Sequence, residues 1–457
     1  MADATLTFPR DFLWGTATAA HQVEGGNDHN QWHAWEQGGG GRVFEDQVSG
    51  AACDWWAGQA EKDIRRMKEL HTNAHRLSVE WSRVEPEPGR WDNEAIDRYR
   101  AILEAMRKAG VQPMVTLHHF TNPLWFEERG SWLSDESVTA FERFVKKIVG
   151  EMSDLCTTWC TINEPSVYAA QGYFDGSMPP GKKDDLKSYF TVLYNLLNAH
   201  AAAYHAIHDI QPTAGVGLAH HMIAWHPRHR RSPLDRAATG LLDQFFNSLV
   251  VETIRTGVWK PLFSRAVEAS RLKGTLDWFG LNYYDRYDVL FSLPAWKSMF
   301  LSYGARPGEP QGPKSWGEFY PEGLFTLIMR LHKLLRLPIA ITENGVPDED
   351  DSVRPGFILE HLAQVWRAIN FNVPVTGYYF WSLVDNFEWA EGYDPRFRFG
   401  LYQVDFKSQK RTIKPSGELY KEICAAGAIS SDMARRYAPD VAGRLFPGEV
   451  PQEVEIG

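Results

Sequence analysis

Short apolar segments alternate with amphipathic helical segments from one end of the chain to the other, and this alternation restricts the possible folds most. We predict eight strands, at residues 12–17, 73–81, 112–119, 159–164, 214–220, 277–283, 337–343 and 375–383. Helical periodicity predicts helices at residues 54–70, 92–109, 134–152, 186–210, 241–256, 321–335, 356–370 and 416–425. Near-continuous apolar strands separated by helices are typical of a parallel sheet that is covered on its outside.

Eight strand–helix units close most naturally into a (β/α)8 barrel, the TIM barrel of the α/β class. The alternative is a doubly wound open sheet, which needs a glycine-rich phosphate turn after its first strand. Gly15 lies in the first predicted strand, but no Gly-x-Gly-x-x-Gly pattern follows it. We therefore expect a single barrel domain over residues 1–457 with elaborated loops, a core at about 8–425 and a C-terminal tail at 426–457. We predict a long, irregular rim loop at residues 285–317.

Composition and charge exclude several classes of protein. The net charge is −10, which disfavours binding to nucleic acid or to an anionic membrane. No apolar run reaches the roughly 18 residues of a membrane helix. Residues 1–10 lack the basic and apolar regions of a secretory signal, so we expect a cytoplasmic protein. The four cysteines have no zinc-site spacing, and we expect buried thiols in a reducing compartment, with no metal and no cofactor.

Two of the predicted strands end on a glutamate. Glu164 follows Asn163 at the end of the fourth strand, where Pro165 stops the strand. Glu343 ends the seventh strand in the same way. A carboxylate at the tip of a buried strand is costly unless something requires it there. If both strand ends meet in one pocket, the chain holds the two carboxyl groups that cleavage of a glycosidic bond needs.

The other strand ends also carry polar groups and flat aromatic rings. They comprise His119, Asn282, Tyr284, Trp381 and Glu388, with Gln22 and Arg76 close by. Sugar hydroxyls need amide and carboxylate partners, and the apolar face of a sugar ring needs an aromatic platform. No phosphate-binding loop, Ser/His/Asp order or metal-ligand set occurs among these residues. His118–His119 and His220–His221 are adjacent pairs that point to opposite faces of a strand and cannot easily share one metal ion.

Four motifs give the chain a resemblance to family 1 of the glycoside hydrolases, the β-glucosidase and β-galactosidase family. They are Thr-Ile-Asn-Glu-Pro at 161–165, Asn-Tyr-Tyr at 282–284, Ile-Thr-Glu-Asn-Gly at 341–345 and Trp-Ser-Leu-Val-Asp-Asn-Phe-Glu-Trp at 381–389. The resemblance covers residues 8 to about 414. It implies a retaining exo-β-glycosidase without a cofactor.

The resemblance also implies catalytic roles. Glu164 matches the acid/base, which must be protonated near neutral pH. Glu343 matches the nucleophile, which must be ionised. Arg76 and Tyr284 match the residues beside the nucleophile that favour its charge, and Asn282 is expected to shape the nucleophile side. Retention of configuration then follows, with the two carboxyl groups roughly 5 Å apart.

A second set of matching residues is implied to bind substrate. Asn163 matches the partner of the sugar 2-hydroxyl, and Trp381 matches the floor on which the sugar stacks. Trp316 matches the wall that faces the departing group. The groups that grip the remaining hydroxyls are Gln22, His119, Glu388 and Trp389. We also expect Trp32 in the wall of the entrance.

The sequence departs from the family pattern in three places. His119 is followed by Phe120 where the family often has tryptophan, so an indole N–H donor is lost. Ser166 replaces a tryptophan after the Asn-Glu-Pro motif, which predicts a wider leaving-group site. Two Arg-Phe pairs occur where the family has one, so either Phe397 or Phe399 can line the sugar site. Phe397 is named as the candidate, and the sequence does not decide between the two.

These residues predict hydrolysis of unphosphorylated β-D-glucosides, extending to β-galactosides or β-fucosides, with small glycosides and oligosaccharides as the only partners. Transglycosylation is expected as a side reaction, because a sugar can replace water at the covalent intermediate. One alternative is a 6-phospho-β-glycosidase, which an acidic Glu388 disfavours because it would repel a phosphate. Another is a non-catalytic sugar-binding relative, which would be expected to have lost one of the two glutamates.

Overall fold

The computed structural model describes residues 4–262, 264–294, 301–314 and 316–447. Eight parallel strands close into a barrel in the order β2-β3-β4-β5-β6-β10-β13-β14, and this confirms the predicted fold class. The strands are β1 (Thr5–Thr7), β2 (Leu13–Ala17), β3 (Ala74–Ser78), β4 (Gln112–His118), β5 (Thr158–Asn163), β6 (Gly215–His221), β7 (Ala224–Pro227), β8 (Val258–Trp259), β9 (Val267–Glu268), β10 (Phe279–Asn282), β11 (Arg286–Phe291), β12 (Leu301–Gly304), β13 (Ile339–Asn344), β14 (Val375–Trp381), β15 (Tyr402–Asp405), β16 (Lys410–Ile413) and β17 (Ala428–Ser430).

Helices surround the barrel and fill its loops. They are α1 (Ala20–Val23), α2 (Gln31–Gln37), α3 (Ala60–Glu69), α4 (Trp81–Val84), α5 (Asn93–Lys108), α6 (Leu124–Glu128), α7 (Ser137–Met152), α8 (Pro165–Ala170), α9 (Leu186–Ile210), α10 (Pro233–Asp243), α11 (Leu249–Thr256), α12 (Pro321–Leu335), α13 (Arg354–Asn370), α14 (Pro415–Ala426), α15 (Ser431–Tyr437) and α16 (Pro439–Leu445). The apolar sides of the long helices pack on the barrel and form one core with it.

The barrel strands are buried along most of their length, as their apolar sequences predict. Every residue of β3, β10 and β13 is buried. Such strands can be satisfied only between neighbouring strands and under a layer of helices. Their carboxyl ends meet at one edge of the barrel, and the side chains that follow them converge there.

Three helix predictions differ from the structure by three residues or more at a boundary. The helix predicted at 54–70 begins at Ala60, because Gly58 has a φ of 108° that a helix cannot contain. The helix predicted at 134–152 begins at Ser137. The helix predicted at 241–256 is two helices, α10 and α11, which a wider π-type turn at Gln244–Ser248 joins.

The prediction of an irregular loop at residues 285–317 is wrong. Part of this segment forms β11 and β12, which pair antiparallel, and β11 also pairs parallel with β7. The three strands make a small sheet, here called the rim sheet, beside the open end of the barrel. Residues 295–300 and 315 of the predicted loop lie outside the described residues.

The predicted tail is well structured as far as it is described. β17 pairs antiparallel with β1 near the start of the chain, and Thr5 lies opposite Ser430. α15 and α16 follow and pack against α13. Residues 448–457 of the predicted tail lie outside the described part.

All four cysteines are described, and each is buried with a free thiol. In the described ranges no helix has the length and apolar character needed to cross a membrane.

Candidate active site

Glu164 and Glu343 share one cavity at the carboxyl ends of the barrel strands. Glu164 follows β5 directly, and Glu343 is the last residue but one of β13. Both side chains are buried, and both line a cavity of about 560 Å³. The two strands are far apart in the sequence, but the barrel brings their terminal carboxyls to the same pocket, as predicted.

Two donors hold the Glu343 carboxylate. Arg76 Nη1 donates to Oε1 at 2.5 Å, and the Tyr284 hydroxyl donates to Oε2 at 2.7 Å. Arg76 is itself fully buried at the middle of β3, where its other donors reach Asn163 Oδ1 at 2.7 Å and Thr116 Oγ1 at 3.0 Å. The guanidinium therefore fixes the positions of both the carboxylate and the amide.

Glu164 has fewer partners. Asn282 Nδ2 donates to Glu164 Oε1 at 2.7 Å and to Asn163 Oδ1 at 3.1 Å. Asn282 thus contacts the acid/base candidate directly, and its hydrogen bonding also lowers the pKa of Glu343, on the side where we expected it to act. Its own Oδ1 accepts a hydrogen bond from Thr342, so the orientation of its amide is fixed. Glu164 has a left-handed backbone with a φ of 46°, a strained conformation of the kind that concentrates at functional sites.

The surroundings of the two carboxyl groups shift their pKa values to different extents. Burial raises the pKa of Glu164 well above its ordinary value, and the negative charge of Glu343 raises it further. Burial also raises the pKa of Glu343, but Arg76 and the Tyr284 hydroxyl oppose that effect. Glu343 therefore loses its proton first. One carboxylate beside one carboxylic acid is the arrangement that a retaining glycosidase needs.

A second polar group lies beside Trp381 and Trp389. Gln22 is fully buried and donates through Nε2 to Glu388 Oε2 at 3.2 Å and to the Phe387 carbonyl at 2.9 Å. Its other side-chain polar atom, Oε1, has no hydrogen-bond partner. Burial, together with the charge of Glu343, raises the pKa of Glu388 to about 8. Glu388, Trp381 and Trp389 all line the cavity.

His119 connects this group to the catalytic pair. Its Nε2 accepts a hydrogen bond from Asn163 Nδ2 at 3.1 Å, and its ring lies nearly parallel to those of Trp381 and Trp389. Burial and the charge of Arg76 lower the pKa of His119 well below its ordinary value. The imidazole is therefore neutral, and its Nδ1 has no hydrogen-bond partner.

The predicted aromatic residues Phe120, Trp316 and Phe397 all line the cavity. The structure also places Phe399 there, so both members of the Arg-Phe repeat reach the site. Phe399 lies 6.2 Å from the ring of Tyr284 and 5.6 Å from that of Trp316. It is therefore the phenylalanine that contacts the tyrosine bound to Glu343.

Two expectations about the entrance are wrong. Trp32 is almost completely buried and packs beneath Trp389 at 4.8 Å, because α2 directs it into the core instead of toward the entrance. Ser166 is also fully buried, and it is not among the described residues that line the cavity. Val167, Ala170 and Phe174 line this wall, so the serine does not widen it.

Sequence reasoning missed the aromatic residues in the outer part of the cavity. These are Phe174, Trp225, Phe245, Phe246, Tyr287 and Tyr303, with His221 among them. Tyr287 and Tyr303 belong to the rim sheet, which we predicted to be irregular. A period-2 pattern in the sequence could have revealed β11. It is the alternation of Arg286, Asp288 and Leu290 with Tyr287, Val289 and Phe291.

The chain resembles known proteins over nearly its whole length. The model of the family "Glycosyl hydrolase family 1" matches residues 4–428. The curated "Beta-glucosidase A" of Thermotoga maritima is 32% identical over an aligned length of 445, and the alignment covers 91% of this chain and 97% of that protein.

Solved structures give the same result. A "beta-glycosidase from Pyrococcus horikoshii" superimposes with a TM-score of 0.87 at 34% identity, over 95% of this chain and 98% of the other. A "Family 1 b-glucosidase from Thermotoga maritima in complex with isofagomine lactam" gives a TM-score of 0.87 at 30% identity, over 93% and 100%.

Proposed function

This chain belongs to glycosyl hydrolase family 1 and is a glycoside hydrolase of the β-glucosidase type, and we propose that it is a retaining exo-β-glycosidase. It removes terminal, non-reducing β-D-glucosyl residues, and also β-D-galactosyl or β-D-fucosyl residues, from small glycosides and oligosaccharides. Degradation of cellobiose in the cytoplasm is a role that fits this activity, and transglycosylation accompanies it. No cofactor or metal takes part in the proposed reaction.

The first step transfers the sugar to the enzyme. The Glu343 carboxylate attacks the anomeric carbon and forms a covalent bond to it. The bond to the leaving oxygen breaks, and Glu164 gives its proton to that oxygen. The donors Arg76 and Tyr284 support this assignment because they favour the ionised form of Glu343.

The second step releases the sugar. Glu164, now ionised, takes a proton from water while the water oxygen attacks the anomeric carbon, and the bond to Glu343 breaks. Each displacement inverts the configuration, so that two of them retain it. Asn282 supports both steps, since its amide keeps the Glu164 carboxyl oriented toward the cavity.

Recognition of the glucosyl unit is assigned to the polar group around Glu388. Asn163 binds the 2-hydroxyl, a contact that strengthens in the transition state. The other hydroxyls are bound by Gln22, His119, Glu388 and Trp389, the sugar stacks on Trp381, and Trp316 bounds the leaving group. The unpartnered Gln22 Oε1 and His119 Nδ1 support this assignment, because buried polar atoms normally have a partner.

A 6-phosphoglycoside is a poor substrate on this proposal. Burial and the charge of Glu343 raise the pKa of Glu388 to about 8, which weakens the repulsion between Glu388 and a phosphate. Among the described residues that line the cavity, Lys314 is the one lysine or arginine, and it is paired with Glu391. A phosphate dianion would therefore lose its hydration without gaining a free cation.

The single observation that carries the proposal is the pair of buried carboxyls in one cavity, with Arg76 and Tyr284 on Glu343 alone. Release of nitrophenol from 4-nitrophenyl β-D-glucoside tests it. We expect turnover by the wild type. Glu164→Ala and Glu343→Ala should each lower kcat for this substrate by at least about 10³-fold.

Azide then distinguishes the two roles. It should restore turnover of Glu343→Ala and give the α-glucosyl azide, since the attack is a single inversion. With Glu164→Ala it should give the β-glucosyl azide, because two inversions occur. Exchanged anomers would mean that the two roles are exchanged, and a wild type without turnover at any pH would favour the non-catalytic sugar-binding alternative.

A further inference from the structure

A continuous series of rings runs from the catalytic centre to the surface. His221 lies 5.6 Å from Tyr284, and Phe246 lies 5.7 Å from His221. Trp225 follows at 6.4 Å from Phe246, and Tyr303 at 5.4 Å from Trp225. Tyr284 is buried, whereas 57% of Tyr303 is exposed, so that the series leads outward. All of these residues line the same cavity as the two glutamates.

The outer end of this series is a rigid group of three rings, here called the rim aromatic track: Trp225, Tyr287 and Tyr303. The ring of Tyr287 lies 5.6 Å from Trp225 at an angle of 33°, and Tyr303 meets both rings edge-on. Each residue belongs to a different strand of the rim sheet, and Trp225 pairs directly with Tyr287 in it. Strand pairing therefore fixes the track on the cavity wall.

Packing alone does not account for the polar atoms beside the track. Trp225 Nε1, Trp316 Nε1, His221 Nε2 and Asp285 Oδ1 are all buried without a hydrogen-bond partner, and all four residues line the cavity. Buried polar atoms are normally paired with protein or water. Two donors and a carboxylate oxygen next to aromatic faces match a sugar, which offers hydroxyls and an apolar ring face. An aryl group would leave these atoms unpaired.

We propose that the rim aromatic track binds the second sugar unit of the leaving group, beyond the unit that adjoins Trp316. The inference rests on the proposed function and deepens it. It makes a trisaccharide of β-linked glucose a better substrate than the disaccharide, because only the longer substrate reaches from the anomeric carbon to Trp225. The binding energy is gained on the leaving-group side and adds nothing for a glycoside with a short aglycone.

The experiment compares cellotriose, cellobiose and 4-nitrophenyl β-D-glucoside. We expect the wild type to show a higher kcat/KM for cellotriose than for cellobiose. Trp225→Ala should lower kcat/KM for cellotriose by about tenfold, the effect expected for loss of one aromatic contact, and should change kcat/KM for the nitrophenyl glucoside by less than about twofold. Tyr303→Ala, at an exposed position where folding is not at risk, should have the same selective effect.

Phe371→Ala is the matched control. Phe371 is 58% exposed and packs on a neighbouring ring, that of Phe325, but it follows α13 at the opposite end of the barrel. It should leave all three rates unchanged. Two results would overturn the proposed binding of a sugar by the track. One is a wild type that cleaves the nitrophenyl glucoside but prefers cellobiose to cellotriose. The other is an equal loss of all three rates in the variants at 225 and 303. Failure to cleave the nitrophenyl glucoside would instead overturn the proposed function.

Discussion

At the scale of single residues, Arg76 has the largest influence on the chemistry. It is buried within 2.5 Å of Glu343, and the same guanidinium orients Asn163. Removing a buried cation leaves its partner charge uncompensated, which costs about 3–5 kcal/mol of stability in typical cases. The residue therefore links the stability of the barrel interior to the ionisation of the proposed nucleophile.

Arg76→Met tests this link through the pH dependence of activity. Arg76 favours the ionised form of Glu343, so its removal should raise the pKa of Glu343. The acidic limb of kcat/KM reports that ionisation and should move to higher pH, with a loss of activity of at least about 100-fold at its optimum. The measurement is a pH profile with an aryl glucoside between pH 4 and 9.

Arg411→Met is the control for a buried arginine outside the cavity. Arg411 pairs with Asp63 at 3.2 Å, and both are buried. This variant should also lose stability, but its acidic limb should stay where the wild type has it. An unmoved limb in Arg76→Met would mean that Arg76 does not control the ionisation of Glu343.

Sequence reasoning reached the residues that end barrel strands, because the position alone predicts where they meet. Glu164, Glu343 and His119 are of this kind. It failed for Trp32 and Ser166, since the direction of a side chain on a short helix depends on how that helix packs. It also could not choose between Phe397 and Phe399, because both reach the cavity from one irregular loop.

At the scale of elements, the C-terminal segment is the part whose role the sequence left open. β17 completes a two-stranded sheet with β1 and so joins the two ends of the described chain. Ile429, in the middle of this strand, is fully buried and pairs with Leu6. We expect the segment to be part of the folded barrel domain, in place of an independent tail.

Ile429→Ala tests that expectation. Truncating a buried isoleucine typically costs about 2–5 kcal/mol, so the variant should unfold at a clearly lower temperature than the wild type. Tryptophan fluorescence and residual activity should be lost together on heating. Val267→Ala, at a half-exposed position of β9, should change the unfolding temperature little. Loss of the C-terminal helices without loss of activity would show that the segment folds separately.

Long, regular helices were predicted well, and irregular ones were not. α9 and α12 have the predicted boundaries, because their apolar periodicity is unbroken. Asp185 also caps the start of α9, and Pro321 begins α12. The region of α10 and α11 was misread, since a π-type turn shifts the apolar face between the two helices. The rim sheet was missed because its strands are short and because β7 is distant in sequence from β11 and β12.

At the scale of the whole molecule, the barrel explains why one cavity can combine residues from distant segments. The strand order brings β3, β5, β10 and β13 to the same end, and these strands supply Arg76, Glu164, Asn282 and Glu343. The rim sheet supplies part of the wall of the outer cavity, and its sequence carries no barrel signal. The centre of the site was therefore predictable from the sequence, whereas the leaving-group side required the folded structure.

The configuration of the first product tests the central claim most directly. Proton NMR of the wild type acting on 4-nitrophenyl β-D-glucoside follows the anomeric signal before mutarotation mixes the two forms. Double displacement by Glu343 and Glu164 predicts that β-glucose forms first and that α-glucose appears only later. Initial release of α-glucose would mean a single displacement by water and would contradict the assignment of Glu343 as the nucleophile.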